Sequence, residues 1–254
     1  YRALITTAYG VDLTDRGMCD MRTEDISVSK DEFDQNNFKD IERWVTSNPS
    51  GTEFGWSYYY QNIYYANAII NKKNEITEGS EAEINQLVGE AYFMRGYMHF
   101  LLVNLYGQPY TKEGAPTSKA IPLKLSLDLE EMPTRNTVEE IYASILSDIE
   151  NARQLINHKE WETGYNYRFS KLAVDAFESR VRLYKGEWQT AYNAAERVLE
   201  QKSTLEDYNN NNSTDFQMPN TYTSVESITA YENVYSRNGI NASLATPTFV
   251  KMFK

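Results

Sequence analysis

Apolar residues recur along this chain at three- and four-residue steps, the spacing of one face of an α-helix. From Phe54 to about Asn74, Trp56, Tyr60, Ile63, Asn67 and Ile70 fall on one stripe. The next window, Glu83–Tyr106, carries Ile84, Leu87, Val88, Ala91, Met94, Met98, Leu101, Leu102 and Leu105. So broad a stripe requires neighbours on more than one side. Val138, Ile141, Tyr142, Ile145, Ile149, Ala152 and Ile156 give the clearest amphipathic helix. Phe169–Tyr184 and Glu187–Leu199 follow, split only by Lys185-Gly186. That pair predicts an αα-hairpin with glycine in the left-handed cap. Shorter helices are expected over residues 1–13 (Leu4, Ile5, Ala8, Tyr9, Val11) and Asp40–Val45, where Phe38 and Ile41 face inward.

Polar punctuation supports these limits. Ser80-x-x-Glu83 and Thr137-x-x-Glu140 are capping boxes, in which the hydroxyl accepts from a free backbone N–H and the glutamate reaches back. Gly107 and Pro109 end the second long helix. Residues 108–135 hold four prolines and no helical period, with "AIPLKL" as a short extended piece. A segment this long is functional or wraps the surface. Beyond Lys202, the asparagine run 209–212 reads as a solvated loop, "ESITAYENV" as a strand or extended segment, and "TPTFVKMFK" resumes an apolar pattern.

The 254 residues suffice for a sizeable core. A formal charge of -11 argues against nucleic acid and anionic lipid as partners. One cysteine, Cys19, excludes an internal disulfide and a thiolate metal cage within the chain. No run of 18 apolar residues is present. Twenty tyrosines and four tryptophans fit contacts with polar ligands as well as an amphipathic helical array.

Motif chemistry is sparse. The two histidines, His99 and His158, are expected on different helices, without metal-ligand spacing. Neither a nucleophile elbow nor a glycine-rich phosphate loop is found, and no cofactor is expected. A glycosidase pair could still be drawn from 36 carboxylates, because such a pair needs separation across a cleft and no local motif. Arg95 and His99, one turn apart, read either as an anion- or proton-handling pair or as buried polar framework. The framework reading is preferred, since buried polar groups chiefly satisfy hydrogen bonds. Trp56, Tyr60 and Trp188 read as packing residues.

The hairpin "FESRVRLYKGEWQTAYNAAERVLE", with Gly186, Trp188, Ala191 and Ala195, resembles a tetratricopeptide unit. Three further segments match one family in order and spacing. They are "WSYYYQNIYYANAII", "GEAYFMRGYMHFLLVNLYGQPY" and "IPLKL" through "MPTRNTVEEIYASILSDIENA". On these the chain resembles the SusD/RagB family of nutrient-binding outer-membrane lipoproteins, across most of residues 54–200.

The resemblance implies a mainly all-α fold of tetratricopeptide-like helix pairs with long irregular loops. It implies one SusD-like helical domain over residues 1–254, with helix pairs over about 54–200 and an irregular 201–254. The C-terminal part of the family's chain then lies outside this sequence. The implied function is non-enzymatic: cell-surface capture of oligosaccharides, or of peptides, for import by a SusC-like TonB-dependent transporter. The implied location is the extracellular face of the outer membrane, reached through an N-terminal lipid anchor not in this chain. Cys19, preceded by "DRGM", lacks the lipobox for that anchor. The alternatives are a tetratricopeptide-type protein-interaction scaffold and, behind it, a helical glycosidase.

Sugars are held by flat aromatic faces, with planar amides bonding hydroxyls at the rim. The loop after Trp44 resembles the family's ligand-facing loop. Trp44, Phe54 and Tyr58 are therefore the expected ring contacts, with Asn48 as polar partner. Trp161, between two predicted helices, is either a further contact or a lid on the helix ends.

Overall fold

The computed structural model describes residues 19, 23–28, 55–210, 222–230 and 243–252. The predicted helices over 1–13 and Asp40–Val45 lie outside them. The architecture is mainly helical, with tetratricopeptide-like pairs. Six α-helices are described: α1 Trp56–Asn71, α2 Glu81–Tyr106, α3 Val138–Leu155, α4 Lys171–Lys185, α5 Trp188–Leu199 and α6 Pro247–Lys251. Among the described residues no helix is long and apolar enough to cross a membrane.

Both capping boxes form. Ser80 Oγ accepts from Glu83 N at 3.3 Å while Ser80 N donates to Glu83 Oε2 at 2.7 Å. Thr137 and Glu140 repeat the exchange at 3.2 and 2.7 Å. Gly186 takes the left-handed cap between α4 and α5 at φ 82°, as the hairpin predicts. A Cβ there would also sit 3.0 Å from Thr111 Cγ2.

One compact unit, Tyr59–Glu232, is built around α2. Helix α3 packs along α2, α4 packs on α3, and α5 folds back on α4. The α2–α3 approach is close enough to require glycine. A Cβ on Gly89 would lie 2.8 Å from Ile156 Cγ1 and 2.9 Å from Ile156 N, and one on Gly96 3.1 Å from Asp148 Cβ. Aromatic rings fill the adjoining core. Phe93 stacks on Phe169 at 3.9 Å between centroids, and Phe177 lies 5.1 Å from Phe93 and 5.6 Å from Phe100.

The proline-rich segment between α2 and α3 is a hairpin rather than an open loop. Within it β2 (Lys119–Pro122) pairs antiparallel with β3 (Arg135–Thr137), in register Lys119↔Thr137 and Pro122↔Arg135, with an irregularity between. "AIPLKL" is thus extended over its first half.

A second unit is drawn from Arg2–Tyr58 and Asn233–Lys254. Its described part pairs β1 (Ile26–Val28) antiparallel with β4 (Ser243–Ala245). Thr246 caps α6, accepting from Phe249 N at 3.2 Å, and its own N–H donates to the Asp25 carbonyl.

Two expectations are corrected. Residues 226–230 of "ESITAYENV" form bends with no strand, the remainder lying outside the described residues. The buried stripe of α1 runs through Tyr59, Ile63, Ala66 and Asn67 and leaves Trp56 38% exposed. Tyr60 sits at the edge of that stripe, its hydroxyl donating to the Pro122 carbonyl at 2.7 Å.

Candidate functional site

Arg95 projects from the middle of α2 into the α2–α3 seam. Its Nε and Nη2 donate to the two Asp148 oxygens at 2.9 and 2.6 Å, and its Nη1 to Asn67 Oδ1 at 2.9 Å. Arg95 is 7% exposed and Asp148 1%. Desolvation pushes the Asp148 carboxyl above its ordinary value, and the guanidinium's two hydrogen bonds hold that rise in check. Asn67 Nδ2 in turn donates to the carbonyls of Lys124 and Ser126, at 3.0 and 3.4 Å. The chain of contacts runs from an inner ion pair to the loop beyond β2.

His99 is fully buried, and neither ring nitrogen has a hydrogen-bond partner among the described residues. Burial, joined by the Arg95 charge, pushes its pKa down to about 3, which the Arg95 backbone only partly opposes. A neutral, enclosed imidazole beside an arginine already engaged by Asp148 and Asn67 is framework, not a proton-handling pair.

A second polar node fixes the connection between α3 and α4. Gln86 Oε1 accepts from the backbone N–H groups of Asn157 and His158, at 2.9 and 3.1 Å. Its Nε2 donates to Glu90 Oε1 and to the Phe169 carbonyl, at 2.6 and 3.0 Å. Arg168 pairs with buried Glu90 at 3.0 Å. Trp161 sits on this node. Its Nε1 donates to the same Phe169 carbonyl at 3.0 Å. The His158 ring stacks on it at 3.8 Å, and the Arg168 guanidinium lies 4.1 Å from its centroid. Both groups pack against the Trp161 ring. These contacts tie Trp161 to the connection between α3 and α4.

Its remaining surface borders a cleft of about 360 Å³, also lined by Glu160, Asn166, Lys202, Tyr222 and Ser224. The wall is held from within. Asn166 Nδ2 donates to the Tyr222 carbonyl at 2.7 Å, Lys202 pairs with Glu160 at 2.6 Å, and Ser224 Oγ donates to Glu206 at 2.9 Å.

Of the other expected contacts, Tyr58 is 41% exposed near the start of α1. Trp44, Asn48 and Phe54 lie outside the described residues. Trp188, expected to pack, is instead 63% exposed. The close helix contact in that hairpin is made by Ala191, Ala194 and Val198, leaving Trp188, Tyr192 and Leu199 on an adjacent outward stripe.

Two further carboxylates, one of them buried, are paired with arginines. Asp175 and Glu178 on α4 are bridged by Arg153 of α3 and Arg197 of α5, at 2.5 to 2.8 Å. Glu90, Asp148 and Asp175 each have an arginine partner. Among the described residues no group of three or more His, Cys, Asp or Glu could hold a metal ion. Sequence reading missed Gln86, Glu90 and Asp148 as organising residues. Their signal was a polar side chain on the apolar face of a helix.

Comparison with known proteins places this arrangement. Residues 5–183 match the SusD-like family model described as starch-binding, associating with outer membrane. SusD-like protein P38 of Formosa agariphila is 31% identical over 151 residues, which are 59% of this chain and 27% of that protein. Among solved structures, a putative sugar binding protein from Bacteroides vulgatus superposes with a TM-score of 0.72 at 23% identity, over 91% of this chain and 55% of that one. A laminarin binding SusD-like protein superposes at 0.65 and 19% identity, over 81% and 43%. The chain thus spans about half the length of the first of these structures and about a quarter of the curated relative. With the family model covering most of its length, the chain belongs to the SusD-like family.

Proposed function

We propose that this chain is part of a cell-surface protein that binds oligosaccharides, without breaking them, for import by an outer-membrane TonB-dependent transporter. In this reading it is held on the extracellular face by a lipid anchor. The observation that carries the reading is the family match over residues 5–183, whose description is starch-binding. The laminarin-binding relative supports a glycan ligand. In this reading ligand contact falls to Trp44, Asn48, Phe54 and Tyr58, while Trp161 serves the frame of its own unit.

The test is a glycan array followed by calorimetry with the full-length protein, with sugar release monitored in parallel. Saturable binding without release is expected. Release of sugar would replace the reading with a glycosidase. A second reading, a protein-interaction scaffold, draws on the outward stripe of Trp188, Tyr192 and Leu199 on α5. Peptide capture with no glycan binding would favour it.

A further inference from the structure

The cleft beside Trp161 lies entirely within the unit Tyr59–Glu232, whereas Trp44, Asn48, Phe54 and Tyr58 belong to the other unit. Three segments wall it: the connection between α3 and α4, the stretch after α5, and residues 222–227. At about 360 Å³ it falls within the roughly 300–1,000 Å³ of small-ligand sites. Such sites are mostly apolar, and this one is not. Val225 is its one aliphatic lining residue, and hydroxyls and amides make up most of the rest. Its charges cancel, because Lys202 Nζ pairs with Glu160 at 2.6 Å. An apolar ligand gains little in such a wall, and a phosphate or carboxylate meets a cation that is already engaged.

Asn166 shows what the cleft lacks. It is 6% exposed and lines the wall. Its Nδ2 donates to the Tyr222 carbonyl at 2.7 Å, and its own carbonyl accepts from Ala230 N at 3.1 Å. The Tyr222 carbonyl can only accept, so the amide nitrogen must face it and Oδ1 is turned the other way. That oxygen has no donor among the described residues. An amide oxygen so nearly buried, held in place and without a donor, calls for one from outside the chain. Gln201 repeats the arrangement nearer the surface. Its Nε2 donates to the Arg197 carbonyl at 2.9 Å, which leaves its oxygen to the cleft that it lines. Thr163 and Thr204 add hydroxyls that can donate or accept.

We propose that this cleft is a second saccharide subsite, in which Asn166 Oδ1 accepts a hydroxyl of one neutral sugar ring while Gln201, Thr163 and Thr204 bond its rim. A sugar carries uncharged hydroxyls that donate and accept around its edge, as this wall requires. A peptide would bring side chains for which the wall has no apolar pocket. Trp161 makes no ligand contact here; its bonds hold one wall in place. With a few neutral hydrogen bonds and little apolar burial, binding is weak, in the millimolar range, and glycan affinity stays set by the loop around Trp44. The inference rests on the glycan-binding function proposed above and adds a second point of attachment to it.

The test is an NMR titration of the full-length protein carrying isotope-labelled asparagine, read at the Asn166 side-chain amide, whose signals are identified by their loss in Asn166→Ala. The probes are glucose, maltose and laminaribiose, chosen on the starch-binding description and the laminarin-binding relative. A saturable shift with at least one of them is expected, and it should persist in Trp44→Ala. Thr204→Trp, at an exposed position of the wall, fills the cleft and should weaken the shift about tenfold or more with the melting temperature unchanged. Thr163→Trp blocks the cleft from another segment and replaces it where Thr204→Trp does not fold. No shift, an equal shift with glycerol, a shift only with a short peptide, or one that vanishes in Trp44→Ala would overturn the proposal. Calorimetry with longer glycans is run on the same preparations. Glycan binding there with a silent Asn166 removes the subsite alone, and no glycan binding by either measurement removes the function on which it rests.

Discussion

Arg95 and Asp148, on neighbouring helices and 53 residues apart in sequence, meet through two parallel hydrogen bonds in a seam closed to solvent. Breaking such a pair from one side strands the other charge in low dielectric, whereas removing both does not. Arg95→Met should therefore cost about 3–5 kcal/mol in urea unfolding, and Arg95→Met with Asp148→Leu clearly less. A single-variant loss below about 1 kcal/mol would contradict this account.

His99 links stability to acid. Its folded pKa, about 3, lies below the ordinary 6.5, so below pH 6.5 the unfolded chain takes up a proton that the folded one refuses. Stability is fully present above 6.5 and falls, by about 1.4 kcal/mol per pH unit at most from this group, until pH reaches the folded value. His99→Leu should flatten that part of the stability–pH curve, measured from urea midpoints at several pH values. An unchanged slope would show that His99 takes up a proton in the folded state.

The α2–α3 seam depends on small residues. Gly89→Ala would gain about 1 kcal/mol of helix propensity but force a methyl against the backbone of Ile156. Overpacking of about 1–3 kcal/mol should dominate and lower the melting temperature. A higher melting temperature would mean that the two helices separate easily.

Two tryptophans should behave in opposite ways. Trp161→Ala removes the Phe169 hydrogen bond and the ring between His158 and Arg168, and should lower stability by about 1–3 kcal/mol with glycan affinity nearly unchanged. Trp44→Ala should weaken glycan binding about tenfold or more with little change in unfolding. The reverse pattern would move the ligand to the cleft beside Trp161.

What could be read from the sequence was mostly local. Ser80 with Glu83, Thr137 with Glu140, and Gly186 each act over three residues or fewer, so spacing alone identifies them. Asp148 was different. It falls on the buried face of α3 between Ile145 and Ala152, a charge where the pattern calls for an apolar group. That anomaly shows that a partner is required without naming Arg95. Trp188 was misjudged because a helix of twelve residues carries two apolar stripes, and pattern does not say which one the neighbouring helix covers. The β2–β3 pairing was hidden by its prolines and by a register that Arg135 and Asn136 set from thirteen or more residues away.

Asn67 carries a chemical requirement that few side chains meet. It must offer oxygen to a guanidinium on one side and N–H to carbonyls on the other, with its side chain closed to solvent. Aspartate could serve only the first, lysine only the second, and glutamine would overreach by a methylene. The amide at this position is thus dictated by grammar rather than bulk, and Asn67→Asp, nearly identical in shape, would be among the least tolerated exchanges in the helix.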